Sequence, residues 1–140
     1  MSLLQTKVIM NRFTSLMSGG VMCALVLSCT SHATFVNPVI KSDVPDPSVI
    51  RVDDSYYLAG TSVNATPVYP IYRSSDLVNW SQIGAIFETP PSWASGDFWA
   101  PELYHHNGKY YCYYTARAKA DGISCIGVAV ADSPEGPFVD

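Results

Sequence analysis

Hydrophobic residues in this 140-residue chain are arranged in two different ways. Near the N-terminus they form one continuous stretch, Leu16 to Leu27, behind Lys7 and Arg12. Beyond it they come in short runs rich in Val, Ile, Tyr and Thr, separated by polar turns. No segment there sustains the 3.6-residue spacing of an amphipathic helix, so the pattern predicts strands. Residues 47–52 and 55–61 read as a hairpin turning at Asp53-Asp54. Residues 69–74 and 79–84 give two more strands, with Ser75-Asp76-Leu77 turning between them. A loop follows with Pro90, Pro91 and Gly96. The pattern then restarts with strands at 99–105, 109–115 and 122–130, and a last strand begins near Pro137. The turn between the first two of these holds Asn107-Gly108, the strongest short hairpin signal.

The two halves repeat at a fixed interval. Pro47 maps onto Pro101, and Tyr56-Tyr57 onto Tyr110-Tyr111, each 54 residues on. A four-stranded unit recurring at about 40–55 residues is the sequence mark of a β-propeller blade. A β-sandwich with accidental internal similarity is the competing architecture. Closure of a propeller takes about four blades or more, whereas the pattern here supplies two. The chain therefore reads as the N-terminal piece of a longer protein, cut inside a fourth strand at Asp140.

The N-terminal stretch changes the domain picture. No acidic residue precedes Asp43, and a basic segment followed by an apolar one is the layout of a secretory leader. The stretch is shorter than the about 20 residues that span a bilayer. Ser31-His32-Ala33 offers small residues for cleavage, giving a signal peptide at 1–33 and a domain at 34–140. Val26-Leu27-Ser28-Cys29 offers the other option, a lipoprotein leader ending before Cys29, whose thiol would carry the lipid. Either way the product is exported: periplasmic, extracellular or an outer-membrane lipoprotein. No membrane association is expected beyond that anchor at Cys29. The Asn64-Ala65-Thr66 sequon is discounted because the leader has a bacterial look.

All 12 acidic residues lie in the mature part, against six basic ones. This balance excludes a nucleic-acid partner, whose phosphates call for a basic footprint. Nine Tyr, three Trp and five Phe make the chain aromatic-rich. Such rings stack on sugars as readily as they fill cores. Cys112 and Cys125 could face each other across the 109–130 hairpin as a disulfide. Their apolar surroundings favour two buried thiols instead. His105 and His106 flank a turn and read as a solvated pair rather than metal ligands.

Asp46 is the residue with the most distinctive setting, between Pro45 and Pro47 and ahead of Val49, Ile50 and Val52. Proline fixes its own φ and presses the preceding residue toward extended geometry. An extended, stiff backbone would hold the Asp46 carboxylate in one place, as a general base requires. A turn using Pro and Asp for conformational reasons explains the motif better when it is taken alone.

The series Asn37-Pro38-Val39-Ile40, Asp43-Val44-Pro45-Asp46-Pro47-Ser48-Val49-Ile50 and Tyr56-Tyr57-Leu58 resembles the start of glycoside hydrolase family 43. So do Ser74-Ser75-Asp76-Leu77-Val78-Asn79-Trp80, Phe98-Trp99-Ala100-Pro101-Glu102 and Asn107-Gly108-Lys109-Tyr110-Tyr111 further on. The resemblance implies an all-β fold, here the first two four-stranded blades of a five-bladed propeller. It implies hydrolysis by inversion of O-glycosyl bonds in arabinose- or xylose-containing oligosaccharides and polysaccharides. Asp46 matches the family's general base. The pKa-adjusting Asp and the acid Glu of the family fall beyond Asp140. Trp99 precedes Ala100, the repeat equivalent of Asp46, and matches an aromatic that contacts the sugar. Glu102 takes a structural or substrate-contact role. No cofactor is expected; a central calcium in the parent would draw its ligands from later blades. Trp80 is assigned to packing and Trp93 to a loop. Two other readings stand beside the glycosidase: a non-catalytic sugar-binding decoy and the relic of a broken gene. In each of the three, the chain alone lacks the acid and does not turn over substrate.

Overall fold

The computed structural model describes residues 34–62 and 65–140. The leader, its Cys29 and the Asn64 sequon lie outside the described residues. Among the described residues seven strands form: β1 (Ser48–Val52), β2 (Ser55–Ala59), β3 (Val68–Ser74), β4 (Ser81–Phe87), β5 (Ala94–His106), β6 (Lys109–Ala118) and β7 (Ser124–Ala131). No α-helix occurs among the described residues. The strands make two antiparallel meanders, one ordered β1-β2-β3-β4 and one ordered β5-β6-β7. Val130 and Val139 exchange backbone hydrogen bonds of 2.8 and 2.9 Å, an isolated antiparallel bridge on the β7 edge of the second sheet.

Turn chemistry explains the shared outline of the sheets. Asp53 and Asn107 take positive φ, 52° and 50°, at the equivalent hairpin turns. Asp and Asn are the non-glycine residues that enter this region most readily. Gly108 follows at φ 72°, as the tight Asn-Gly hairpin requires. At the β3–β4 turn, Asp76 Oδ1 accepts the Val78 and Asn79 backbone N–H groups at 2.9 and 2.7 Å. Asp76 Oδ2 takes the Asn79 side-chain amide at 2.7 Å, and Ser74 Oγ donates to Oδ1. These donors hold the Asp76 carboxyl well below the usual carboxylate range, the Asn79 backbone N–H contributing most.

Several boundaries differ from the sequence expectation. β4 runs Ser81–Phe87 rather than 79–84, because residues through Trp80 are used by the turn: Trp80 Nε1 donates to Leu77 O at 2.9 Å. β5 begins at Ala94 rather than 99 and reaches its length by register shifts at Ala94/Gly96, Gly96/Trp99 and Trp99/Glu102. Trp93 lies in the turn ahead of β5, as expected of a loop residue, and its half-buried ring stacks on Tyr114 at 6.2 Å.

The core lies where the two sheets meet. Val68, Tyr69, Ile71 and Phe87 from the first sheet pack with Phe98, Cys112, Tyr114 and Ala116 from the second. Tyr69 is fully buried and contacts the rings of Phe98 and Tyr114 at 6.1 and 5.5 Å. Its hydroxyl donates to Thr115 O at 2.6 Å, closing the seam with a polar bond inside an aromatic cluster. Ser48 adds a second tie, its buried hydroxyl accepting the Leu103 N–H at 2.9 Å. Cys112 and Cys125 are free thiols. The register sets Cys112 against Ala129 and Cys125 against Ala116, so they do not face each other. Cys112 is buried and Cys125 only half-buried. Burial, with the Glu102 charge adding to it, pushes the Cys112 thiol up to about 12.

Candidate functional site

Asp46 lies two residues ahead of β1, not on it. Its backbone is not extended: φ is 48°, in the left-handed region. Its repeat equivalent Ala100 has φ 47°. Both residues precede a proline, so the local preference for extended geometry is overridden twice at the same place in the repeat. A left-handed L-residue costs about 1–2 kcal/mol, which the surrounding contacts must offset.

Those contacts are specific. Thr61 N–H donates to Pro45 O at 2.9 Å, docking the Val44–Asp46 segment beside the end of β2. Gly60 makes the approach feasible: a Cβ there would stand 2.3 Å from Val44 Cγ1 and 3.3 Å from Pro45 O. Thr61 is only 4 % exposed, and its hydroxyl donates to Asp46 Oδ2 at 2.8 Å. The same hydroxyl accepts the Ala100 N–H at 2.8 Å. One side chain thus joins Asp46 to the residue after Trp99, across the seam between the sheets.

The shifts along β5 shape the other wall. Trp99 pairs with Thr115 and Glu102 with Tyr113, so three steps on β5 match two on β6. Such a bulge turns the strand and re-aims its side chains. Trp99 is 43 % exposed. Glu102 is exposed as well. Asp46 is exposed, and Thr61 is its one hydrogen-bonding partner among the described residues, which leaves Oδ1 unoccupied by protein donors. A carboxylate with one oxygen fixed and the other available can accept a proton from a bound water.

The structure therefore brings Asp46 together with the Trp99-Ala100 segment. Thr61 was not singled out from the sequence, because a Thr in a strand-forming run reads as a β-former. The repeat held a signal: Thr115 stands 54 residues on, in the same position of the second unit. A surface groove of about 650 Å³ is lined by Pro38, Ile40, Val44, Leu58, Leu77 and Trp80 among others, and includes none of Asp46, Thr61 or Trp99. Its walls are apolar and bring no acid–base pair together. His105 stacks on Tyr110 at 4.5 Å and His106 on Tyr104 at 6.0 Å. Among the described residues, no three His, Cys, Asp or Glu side chains are grouped to share a metal ion.

Comparison with known proteins gives a consistent result. The family described as glycosyl hydrolases family 43 matches residues 35–140. The chain is 40 % identical over 114 residues to the extracellular exo-α-(1→5)-L-arabinofuranosidase of Cellvibrio japonicus, covering 76 % of this chain and 31 % of that protein. It is 35 % identical over 91 residues to a β-xylosidase of Formosa agariphila, covering 57 % of this chain and 15 % of that protein. The crystal structure of a thermostable family-43 glycoside hydrolase superposes with a TM-score of 0.68 at 36 % identity, covering 75 % of this chain and 34 % of that one. The chain thus spans about a third of the length of these relatives, or less.

Proposed function

The chain belongs to glycosyl hydrolases family 43, and from that premise we propose that residues 34–140 supply the general-base side of an inverting glycosidase. The two sheets are then the first two blades of a five-bladed propeller. Asp46 and Trp99 stand at one mouth of its central channel. The observation that carries this reading is the Asp46–Thr61–Ala100 chain of hydrogen bonds, which ties an exposed carboxylate to the backbone of the residue after an exposed Trp.

The chemistry follows from charge and distance. Inversion needs a carboxylate to draw a proton from water and a carboxylic acid to protonate the departing oxygen. The two stand about 6.5–9.5 Å apart so that the water fits between base and anomeric carbon. Asp46 Oδ1 takes the water proton as the oxygen attacks. Trp99 offers its face to the sugar ring, and Glu102 accepts hydrogen bonds from sugar hydroxyls. The acid comes from the part of the fold that relatives possess and these residues do not span. Relatives named as arabinofuranosidase, xylosidase and arabinanase support an arabinose- or xylose-containing glycan as substrate. Relatives named extracellular support export.

The test is a chimera in which residues 34–140 replace the matching N-terminal part of the Cellvibrio japonicus arabinofuranosidase. Folding is checked by its melting curve, and activity on an aryl arabinofuranoside. Asp46→Asn should lower kcat by at least the about 10²–10⁴-fold typical of a lost general base. A folded, active chimera in which Asp46→Asn keeps full kcat removes Asp46 from this role.

A further inference from the structure

The hydroxyl of Thr61 is committed on both sides. An N–H can only donate, so Ala100 occupies an acceptor lone pair of Oγ1. The single hydroxyl proton is then left for Asp46 Oδ2. The direction of the chain is fixed: Ala100 N–H to Thr61 Oγ1, Thr61 O–H to Asp46 carboxylate. Successive bonds of this sense polarise one another, more so when water is kept out. Thr61 is buried, while Asp46 is exposed.

From this we infer that Thr61 is a positioning residue, which orients the Asp46 carboxylate and couples it to the backbone beside Trp99. Its catalytic consequence rests on the base role of Asp46 proposed above. Three features distinguish it from an ordinary seam contact. Both residues that it joins have left-handed φ, 48° and 47°, so the hydroxyl bridges two strained points of the repeat. It fixes one carboxylate oxygen and leaves the other for water. And the seam already has a purely structural counterpart in Ser48, whose hydroxyl accepts the Leu103 N–H at 2.9 Å without touching an acid. Thr115 occupies the same place in the second unit, where the equivalent of Asp46 is Ala100 and there is no carboxylate to orient.

The mechanism expected is geometric. Without the hydroxyl, the Asp46 side chain samples several rotamers and its water leaves the line of attack. Misplacement of about 1 Å can cost about 100-fold in rate. Binding of the sugar to Trp99 is unaffected, so the loss falls on kcat and not on KM.

The test has two arms. In the chain itself, NMR reads the shift of the Ala100 amide proton caused by Asp46→Asn in four backgrounds: wild type, Thr61→Ser, Thr61→Val and Ser48→Ala. The amide should move in the wild-type and Thr61→Ser backgrounds, where a hydroxyl still links it to the carboxylate. It should stay put in the Thr61→Val background, and Ser48→Ala should leave the response intact. In the chimera, Thr61→Val should lower kcat about 10–100-fold with KM within about twofold, Thr61→Ser should restore most of it, and Ser48→Ala should lower the melting temperature without this kcat loss. An Ala100 amide that responds equally in the Thr61→Val background, or a kcat indifferent to Thr61→Val while sensitive to Asp46→Asn, overturns the inference. A kcat indifferent to Asp46→Asn itself overturns the base assignment instead, which separates the two failures.

Discussion

Gly60→Ala tests how the Asp46 segment is held. The added methyl would sit 2.3 Å from Val44 Cγ1 and 3.3 Å from Pro45 O. Ordinary contact between carbons is about 3.5–4.0 Å, so more than 1 Å must be found. Val44 can rotate about χ1, but a β-branched side chain is stiff there, and an off-rotamer angle costs about 0.5–1.5 kcal/mol. Alternatively, the Val44–Asp46 backbone withdraws, stretching the 2.9 Å Thr61 N–H to Pro45 O bond. Overpacking with backbone shifts costs about 1–3 kcal/mol. The expected destabilisation is therefore about 1–3 kcal/mol, a fall of roughly 4–20 °C in Tm for a domain of this size. Urea denaturation of the chain measures the energy, and amide exchange at Thr61 shows whether the segment has moved. Val44→Ala removes the clashing methyl, so the double variant should recover at least half of the Gly60→Ala loss beyond additivity. Gly60→Ala at wild-type stability with unchanged Thr61 protection would refute this account of the approach. So would strict additivity of the two substitutions.

Tyr69→Phe removes the 2.6 Å bond to Thr115 O within the aromatic seam and should cost about 1–3 kcal/mol, read by urea denaturation. Asp76→Ala should lower Tm by removing the acceptor of the β3–β4 turn. Because the folded Asp76 carboxyl lies below its unfolded value, its contribution is present at neutral pH. It is lost as pH falls below about 4, so the Tm gap between wild type and variant should narrow under acid. Cys112, pushed up to about 12 in the folded chain, should stay unreactive toward a thiol reagent near pH 8 while Cys125 reacts. The unfolded thiol ionises from about 8.5. Cys112 therefore stabilises the fold below that pH, and the contribution drains away as pH rises toward 12. Cys112→Ala should flatten that alkaline decline in a denaturation series.

Much of the fold was legible because turn chemistry and pattern agreed. Asp53-Asp54 and Asn107-Gly108 punctuate strands at matching places, and both hairpins form there. What was not legible came from tertiary contacts. The prolines around Asp46 argue for an extended backbone, yet the docking of Pro45 O on Thr61 N–H accompanies a left-handed one. Residues 94–98 carry Gly and Asp and look like loop, but register shifts let β5 run through them. Trp93 does lie in the turn ahead of β5, but the stacking of its ring on Tyr114, a distant residue in sequence, could not be read from the chain. Of the site, Asp46 and Trp99 stood out by motif. Thr61 did not, since its role depends on an N–H of the other sheet.

The central claim is that Asp46 activates the attacking water, and an anionic nucleophile that needs no base tests it most directly. In the chimera, Asp46→Ala should lose hydrolysis, and added azide should restore turnover by forming a glycosyl azide of inverted configuration. Undiminished hydrolysis by Asp46→Ala, or a folded variant that azide leaves inert, would contradict the assignment.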